Sequence, residues 1–354
     1  KSNVFLNSIE NLRVKYKINI DVHTETNPLG ECGALWFVKD KLSQDFIFLN
    51  GDLIFSIDFE KLLYFHKRIS SKLTLVTHTS DHPEDSDLVS APNGTLVDSI
   101  YIKGLKNKKK RNAYLGNSGI FVINKAILDD IQAPCSEDSK SVFSYIVKNF
   151  FQMKNNIYSY NTTEYIKDMG TPKRLNMVED DLRNNKVSLR NYKNKQKALF
   201  LDRDNTLIKC EIGKYIIDKK SIQFINSNIE KISIISKEYD LVCMVTNQPV
   251  VAMGKLTIKE LENINSFIIK YCLEKKLKID VVSFCPHHPH IGFEKEVPLL
   301  KKDCFCRKPN PGLILEQAFS RNINLQDSLM IGDSDCDFQA AEKSGCNFIH
   351  VNNL

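Results

Sequence analysis

The chain reads as an α/β protein of two domains, and three observations carry that reading. At 354 residues it is too long for one ordinary hydrophobic core. From Ala198 onward, short apolar runs at 198–202, 240–245, 280–284, 327–332 and 346–351 alternate with helical patterns at 227–238, 257–275, 311–321 and 335–344. That alternation predicts a doubly wound parallel sheet. Between the halves lies KVSLRNYKNKQK (186–197), polar and basic without a sustained apolar face, which predicts a solvated linker. The expected division is a first domain over 1–183, a basic linker over 184–196 and a second domain over 197–354.

The first half also alternates. INIDV (18–22), DFIFLN (45–50) and KLTLVTH (72–78) predict strands. SIDFEKLLYFHKRIS and SVFSYIVKNFF place apolar residues at helical spacing, and a closing helix is expected from about Pro172 through DDLRNN. The chain opens on Lys1, followed by SNVFLNSIENLRVKY, which reads as the middle of a helix, so an N-terminal part is expected to be missing.

Composition excludes some classes. Hydrophobic residues at 42% and charged residues at 26% are ordinary for a soluble protein. A net charge of +6, from 49 basic and 43 acidic side chains, is too dilute to predict nucleic-acid binding and suits anionic substrates. No apolar run reaches membrane-spanning length and no signal peptide opens the chain, so a cytoplasmic protein without a membrane partner is expected. The 10 cysteines are scattered, as reduced thiols are.

Chemistry concentrates in three strings: LFLDRDNT ending at Thr206, MVTNQ ending at Gln248 and LMIGDSDCD ending at Asp337. Each is an apolar run followed by polar, mostly acidic residues, and in an open parallel sheet ligands sit beyond the carboxyl ends of the strands. Asp202 and Asp204, one residue apart, share a side of an extended backbone. One can attack phosphorus while the other handles a proton, and the crowded carboxylates call for a divalent cation, Mg²⁺, with Asp333 as a further ligand. Thr246 and Asn247 can donate to phosphoryl oxygens, and Lys308 can neutralise the transition state.

DRDNT, VTNQ, RKP and GDSDCD, in this order, resemble the four motifs of the haloacid-dehalogenase-like (HAD-like) phosphatases. The resemblance implies Asp202 as nucleophile, Asp204 as general acid and base, Thr246 and Asn247 on phosphate, Lys308 on nucleophile and phosphoryl group, and Mg²⁺ held by Asp202, Asp204 and Asp333. Asp337 is expected to orient the site. Asn205 replaces the family's usual glycine, and Met253 stands where the heptose enzymes carry arginine.

CPHHPH at 285–290 and CFC at 304–306 bring together Cys285, His287, Cys304 and Cys306. Three thiolates and an imidazole suit a closed tetrahedral Zn²⁺ of structural type. His288 and His290 compete, and His287 is favoured by its symmetry with the CxC pair. The metal would hold Arg307, a candidate substrate contact, and Lys308 over the aspartates. This pattern resembles the zinc-bearing subgroup that holds heptose 1,7-bisphosphate 7-phosphatases and histidinol-phosphate phosphatase domains.

In the first half, ETNPLGECGAL, FLNGDLIFSID, YLGNSGIFVI and EYIKDMGTPKRL resemble the sugar-1-phosphate nucleotidyltransferases. The resemblance implies Mg²⁺ at Asp52 and Asp168 against a nucleoside triphosphate, nucleotide contacts at Pro28, Leu29, Gly30 and Gly33, and sugar or phosphate contacts at Lys103 and Asn117. It is nearer to the mannose-type transferases, which implies guanosine. The family's GxGTR loop is absent before Glu25, and Ile102 and Gly104 flank Lys103 in place of glutamate and proline. A truncated transferase is expected, with a degenerate structural domain as the alternative. The combination points to nucleotide-activated heptose synthesis, acting on a phosphorylated sugar, with histidinol phosphate as the rival substrate and an inactive zinc-stabilised scaffold as the rival role.

Overall fold

The computed structural model describes residues 2–25, 29–80, 86–91, 95–104, 115–134, 141–211, 213–290 and 292–354. The first half contains α1 (Ser2–Tyr16), α2 (Ala34–Phe37), β1 (Asp45–Leu49), β2 (Leu53–Ser56), α3 (Phe59–Arg68), β3 (Leu73–Thr79), β4 (Leu88–Ser90), β5 (Ser99–Tyr101) and β6 (Leu115–Asn124). It continues with α4 (Ile127–Asp130), α5 (Lys148–Gln152), β7 (Tyr158–Asn161), β8 (Tyr165–Asp168), α6 (Pro172–Arg183) and α7 (Lys186–Leu189). The second half contains β9 (Ala198–Leu201), α8 (Asn226–Ile235), β10 (Leu241–Asn247), α9 (Ile258–Glu274), β11 (Val281–Cys285), α10 (Gly312–Arg321), β12 (Leu329–Gly332), α11 (Asp335–Ser344) and β13 (Asn347–His350).

The second half is a fully parallel sheet in the order β11-β10-β9-β12-β13, as the strand–helix alternation predicts. Its strands read as continuous apolar runs because both faces are covered. Leu199, Leu201, Val242 and Met244 enter one core, while Ala198, Phe200, Cys243 and Val245 enter the other. Successive side chains thus alternate between layers, and the polar residues begin where the strands leave them. Helix α9 starts on a capping box in which Thr257 Oγ1 accepts from the Glu260 peptide at 3.2 Å and Glu260 Oε2 accepts from the Thr257 peptide at 2.8 Å.

The first half is a mixed sheet in the order β5-β4-β6-β3-β7, with β1 also paired to β6, and a separate antiparallel pair β2-β8. Strands β1 and β3 fall where the sequence predicts them. Residues 18–22 do not form a strand: they are largely exposed, and Ile20 offers its carbonyl to Arg13 Nε at 3.0 Å. An alternating pattern supplies propensity, but a strand needs a neighbouring edge to complete its ladder. The predicted helix at SVFSYIVKNFF begins as a π-helical turn over Phe143–Val147 before α5.

The junction also differs from a solvated linker. Its first residues form α7, and both Tyr192 and Gln196 are buried. Tyr192 accepts from the Thr163 peptide at 2.9 Å, donates its own N–H to Glu164 at 3.1 Å and lies under Lys61. Gln196 donates to the Leu189, Asn191 and Asn194 carbonyls, so its amide ties the segment to itself. The charges made the segment look solvated, while its two buried residues are what pack. Across the halves, Thr79 donates to the Asp280 carbonyl at 2.6 Å and Lys259 pairs with Asp98 at 2.8 Å. No helix among the described residues is long and apolar enough to cross a membrane.

Tyr192→Ala is expected to destabilise the chain by about 3 kcal/mol, read as a lower urea midpoint. A freely solvated tether would show a change within about 0.5 kcal/mol.

Candidate active site

The three polar strings meet beyond the carboxyl ends of β9, β10 and β12. A cleft of about 240 Å³ is lined by residues that include Asp202, Asp204, Thr246, Asn247, Lys308 and Asp333. Every phosphatase residue expected from the sequence therefore borders one space, except Arg307. The Arg307 guanidinium instead donates to the His287 carbonyl at 3.3 Å.

Lys308 is the centre of the arrangement. Its buried ammonium lies 2.5 Å from Asp202 Oδ1 and 2.5 Å from Asp337 Oδ1, and it donates to the Val245 carbonyl at 2.9 Å. Burial alone would lower its pKa, but the Asp202 and Asp337 charges outweigh it and hold the amine above its ordinary range. The Lys308 backbone is placed by a reciprocal pair with the Asn247 side chain, at 3.0 Å from its N–H to Oδ1 and 2.9 Å from Nδ2 to its carbonyl. The Asn247 amide therefore holds the lysine loop. Thr246 Oγ1 accepts from Gln248 at 2.9 Å, which leaves the Thr246 O–H to donate into the cleft.

The carboxylates are crowded. Burial pushes Asp202 up to about 7, with Asp337 and Asp204 adding to the rise against Lys308. Asp333 is also raised, first by burial and then by Asp337, while a hydrogen bond from Asn205 opposes the rise. Oxygens of Asp202, Asp333 and Asp337 lie within 4.8 Å of one another, a separation one hard cation can bridge. Asp337 accepts from the Ser334 hydroxyl at 2.7 Å through its second oxygen, so both its oxygens already have partners. Gly332 permits that fold-back, because a Cβ there would lie 2.5 Å from Asp337 Cγ. The Asp204 carboxylate stands outside this trio, gripped by Arg203 and Gln248. Asn205 adopts φ 56°, a left-handed position where glycine and asparagine are the tolerated residues.

Arg203 and Gln248 are the residues whose roles sequence reasoning missed. Arg203 is almost wholly buried. A charged residue between two acids at the end of an apolar strand must find a buried partner, and that was the available signal.

The cysteine loop lies just before Lys308. Sγ of Cys306 is 3.3 Å from Cys285, 3.3 Å from Cys304 and 3.3 Å from His287 Nδ1, and Cys285 is 3.4 Å from Cys304. Tetrahedral zinc with Zn–S bonds of about 2.3 Å has ligand edges of roughly 3.8 Å, so this donor set fits with little movement. The hydrogen bond between Cys285 and Cys306 splits their acidities, pulling Cys306 down to about 5 and pushing Cys285 up. His288 Nδ1 instead accepts from the His290 peptide at 3.1 Å. Gly312 lets α10 start against the loop, since a Cβ there would meet the Phe305 carbonyl at 2.3 Å.

In the first half, β2 and β8 pair Leu53 with Asp168, bringing Asp52 and Asp168 to one end. A Cβ at Gly170 would lie 3.4 Å from Asp52 Oδ2 and 3.6 Å from Asp168 Oδ1, so the two carboxylates flank that glycine. Arg174 pairs with Asp168 at 2.7 Å. Lys103 donates its peptide N–H to Asp87 Oδ1 at 2.7 Å, and Asn117 donates its own to the Asp87 carbonyl at 2.9 Å. Burial and the charges of Asp52 and Asp87 raise Glu31, which places it in the same acidic neighbourhood. Gly30 has φ 78°, and Gly33 packs so tightly that a Cβ would meet Leu29 Cβ at 2.2 Å. Pro28 lies outside the described residues.

A family model described as nucleotidyl transferase matches residues 4–185, and one described as HAD-hydrolase-like matches residues 305–353. The D-glycero-beta-D-manno-heptose-1,7-bisphosphate 7-phosphatase of Vibrio cholerae serotype O1 is 32% identical over 148 residues, 42% of this chain and 76% of the relative. The D-glycero-alpha-D-manno-heptose-1,7-bisphosphate 7-phosphatase of Photorhabdus laumondii is 31% identical over 152 residues, 43% of this chain and 80% of the relative. A crystal structure of D,D-heptose 1.7-bisphosphate phosphatase from B. bronchiseptica, complexed with magnesium and phosphate, is 25% identical with a TM-score of 0.37, over 43% of this chain and 78% of that one.

Lys308→Met leaves Asp202 and Asp337 buried without their cation. It is expected to cost about 3–5 kcal/mol in urea unfolding with chelator present.

Proposed function

The chain belongs to the nucleotidyl transferase family over its first half and to the HAD-like heptose-bisphosphate phosphatases over its second, and on that premise we propose a specific activity. The second half removes the 7-phosphate of D-glycero-D-manno-heptose 1,7-bisphosphate. The observation that carries this reading is the buried Lys308 joining Asp202 to Asp337 on the wall of a cleft that Asp204 and Thr246 also line. An Asp202 oxygen attacks phosphorus, the bond to the sugar oxygen breaks, and Asp204 supplies the proton to the leaving alkoxide. In the second step Asp204 takes a proton from water, whose oxygen attacks the aspartyl-phosphate. The bond to Asp202 then breaks and inorganic phosphate leaves. Lys308 balances charge on the attacked group, and the Thr246 hydroxyl orients it.

Asp202 and Asp333 would hold Mg²⁺, which would supply charge neutralisation for an anionic nucleophile meeting an anionic substrate, whereas the Asp204 carboxylate, expected as a third ligand, is engaged by Arg203 and Gln248 outside that group. Zn²⁺ at Cys285, His287, Cys304 and Cys306 is structural and keeps the loop that carries Lys308 in shape. The first half, with Asp52 and Asp168 at one strand-pair end, transfers a nucleoside monophosphate from a nucleoside triphosphate, with pyrophosphate as the leaving group, to the sugar 1-phosphate that the second half releases. Such a product is a precursor for surface polysaccharide made in the cytoplasm. Arg174 pairs with Asp168 Oδ1 and would compete with a cation for that oxygen.

Phosphate release is expected from the heptose 1,7-bisphosphate, with histidinol phosphate slower. Both anomers belong in the assay, since relatives named for each are nearly equally similar, at 32% and 31% identity. Asp202→Asn is expected to lower turnover by at least about 1,000-fold, and faster turnover of histidinol phosphate than of either anomer would reject the substrate assignment. Metal analysis is expected to find zinc at one per chain in the parent protein and none in Cys306→Ser, and magnesium chelation is expected to abolish turnover reversibly.

A further inference from the structure

The Asp204 carboxylate is held by a side-chain framework separate from the one around Lys308. Arg203 donates to Asp204 Oδ1 from Nε at 3.1 Å and from Nη2 at 3.0 Å, and Nη2 also lies 3.0 Å from Oδ2. Gln248 Nε2 donates to the same Oδ2 at 2.9 Å. The guanidinium is itself braced, from Nη2 to Gln248 Oε1 at 2.8 Å and from Nη1 to Asn265 Oδ1 at 3.1 Å. Arg203 is 1% exposed and Asn265 is 1% exposed, so the framework is part of the interior and not a surface ion pair. Asn265 stands on α9, a helix that supplies no residue to the cleft lining. Among the described residues its buried Nδ2 has no partner, so the position carries the cost of an unsatisfied amide. What it contributes is the acceptor oxygen for Arg203.

We propose that Arg203, braced by Asn265 and Gln248, is a positioning residue that fixes the Asp204 carboxyl group on the line to the leaving oxygen. The inference rests on the phosphatase reading above. A short acid at a strand end has several side-chain rotamers, and proton transfer requires approach within hydrogen-bond distance in one of them. A planar guanidinium contacting both oxygens, and prevented from turning by acceptors on two other segments, selects that rotamer before substrate arrives. Arginine suits the task because its fork is rigid and its charge permanent. Lysine would keep the charge and lose the geometry.

The consequence depends on the leaving group. When the P–O bond to a sugar breaks, the departing alkoxide needs the proton from Asp204. When p-nitrophenyl phosphate reacts, the phenolate leaves without one. Because kcat/KM reports the steps up to release of that first product, it separates the two cases. Arg203→Lys is expected to lower kcat/KM for the sugar bisphosphate about 100-fold and for p-nitrophenyl phosphate less than about 3-fold. Asn265→Leu, which spares all residues of the cleft, is expected to shift the same ratio in the same direction by about 10-fold. It also keeps the test open if Arg203→Lys does not fold.

Equal losses on both substrates, in either variant, would mean that the framework only supports the fold, and the inference would be overturned. An unchanged ratio in Asn265→Leu with wild-type thermal stability would overturn the brace. Failure of the underlying phosphatase reading looks different: Asp202→Asn would then retain turnover of both substrates.

Discussion

The buried ammonium of Lys308 is the interaction on which the arrangement of the second half's cleft depends. Its two carboxylate partners come from the end of β9 and from α11, and its carbonyl partner comes from β10. A charge with 4% exposure is costly to bury, and it is tolerated because every donor direction meets an acceptor. Three segments that repel or ignore one another in the unfolded chain are therefore held by one cation. The same lysine holds Asp202 at the cleft wall.

That lysine is aimed by its backbone as much as by its charge. The Asn247 amide forms a two-way bond with the peptide of Lys308, and the residue two positions earlier, Cys306, belongs to the cysteine and histidine cluster. A loop of few apolar residues cannot gain its shape from burial, so donors gathered around a metal are a physical substitute for a core. Gly312 allows α10 to pack directly onto that loop, and Gly332 allows Asp337 to turn back under β12. Both glycines serve close approach rather than flexibility.

The two halves meet through specific polar contacts. The Thr79 hydroxyl reaches the Asp280 carbonyl, Lys61 reaches the Ser320 carbonyl, and Tyr192 lies buried where the connecting segment passes between them. Glu164, which accepts from the Asp58 and Tyr192 peptides, has its pKa raised by burial. A buried carboxylate with backbone donors from two separated segments fixes their relative positions, much as Lys308 does in the second half.

That the acids and the lysine border one cleft, and that the four cysteine and histidine donors gather, was legible in the sequence because each follows an apolar run or sits at a recognisable spacing. The parallel sheet was legible too, since strands buried on both faces must be apolar throughout, as ALFL and LVCMV are. Other features have no local signature. INIDV alternates like a strand but has no partner, and KVSLRNYKNKQK looks solvated although Tyr192 and Gln196 are buried. Arg203 and Gln248 stand beside the polar strings that line the cleft, yet the Asn265 oxygen that accepts from Arg203 arrives from a helix 62 positions away. Asp202, Asp204 and Lys308 were named by motif and strand-end position. Which oxygen faces which donor, and that Arg307 turns to the His287 carbonyl of the cysteine loop instead of the cleft, was decided only by tertiary structure, because hydrogen-bond partners are chosen by distance in space and not by order along the chain.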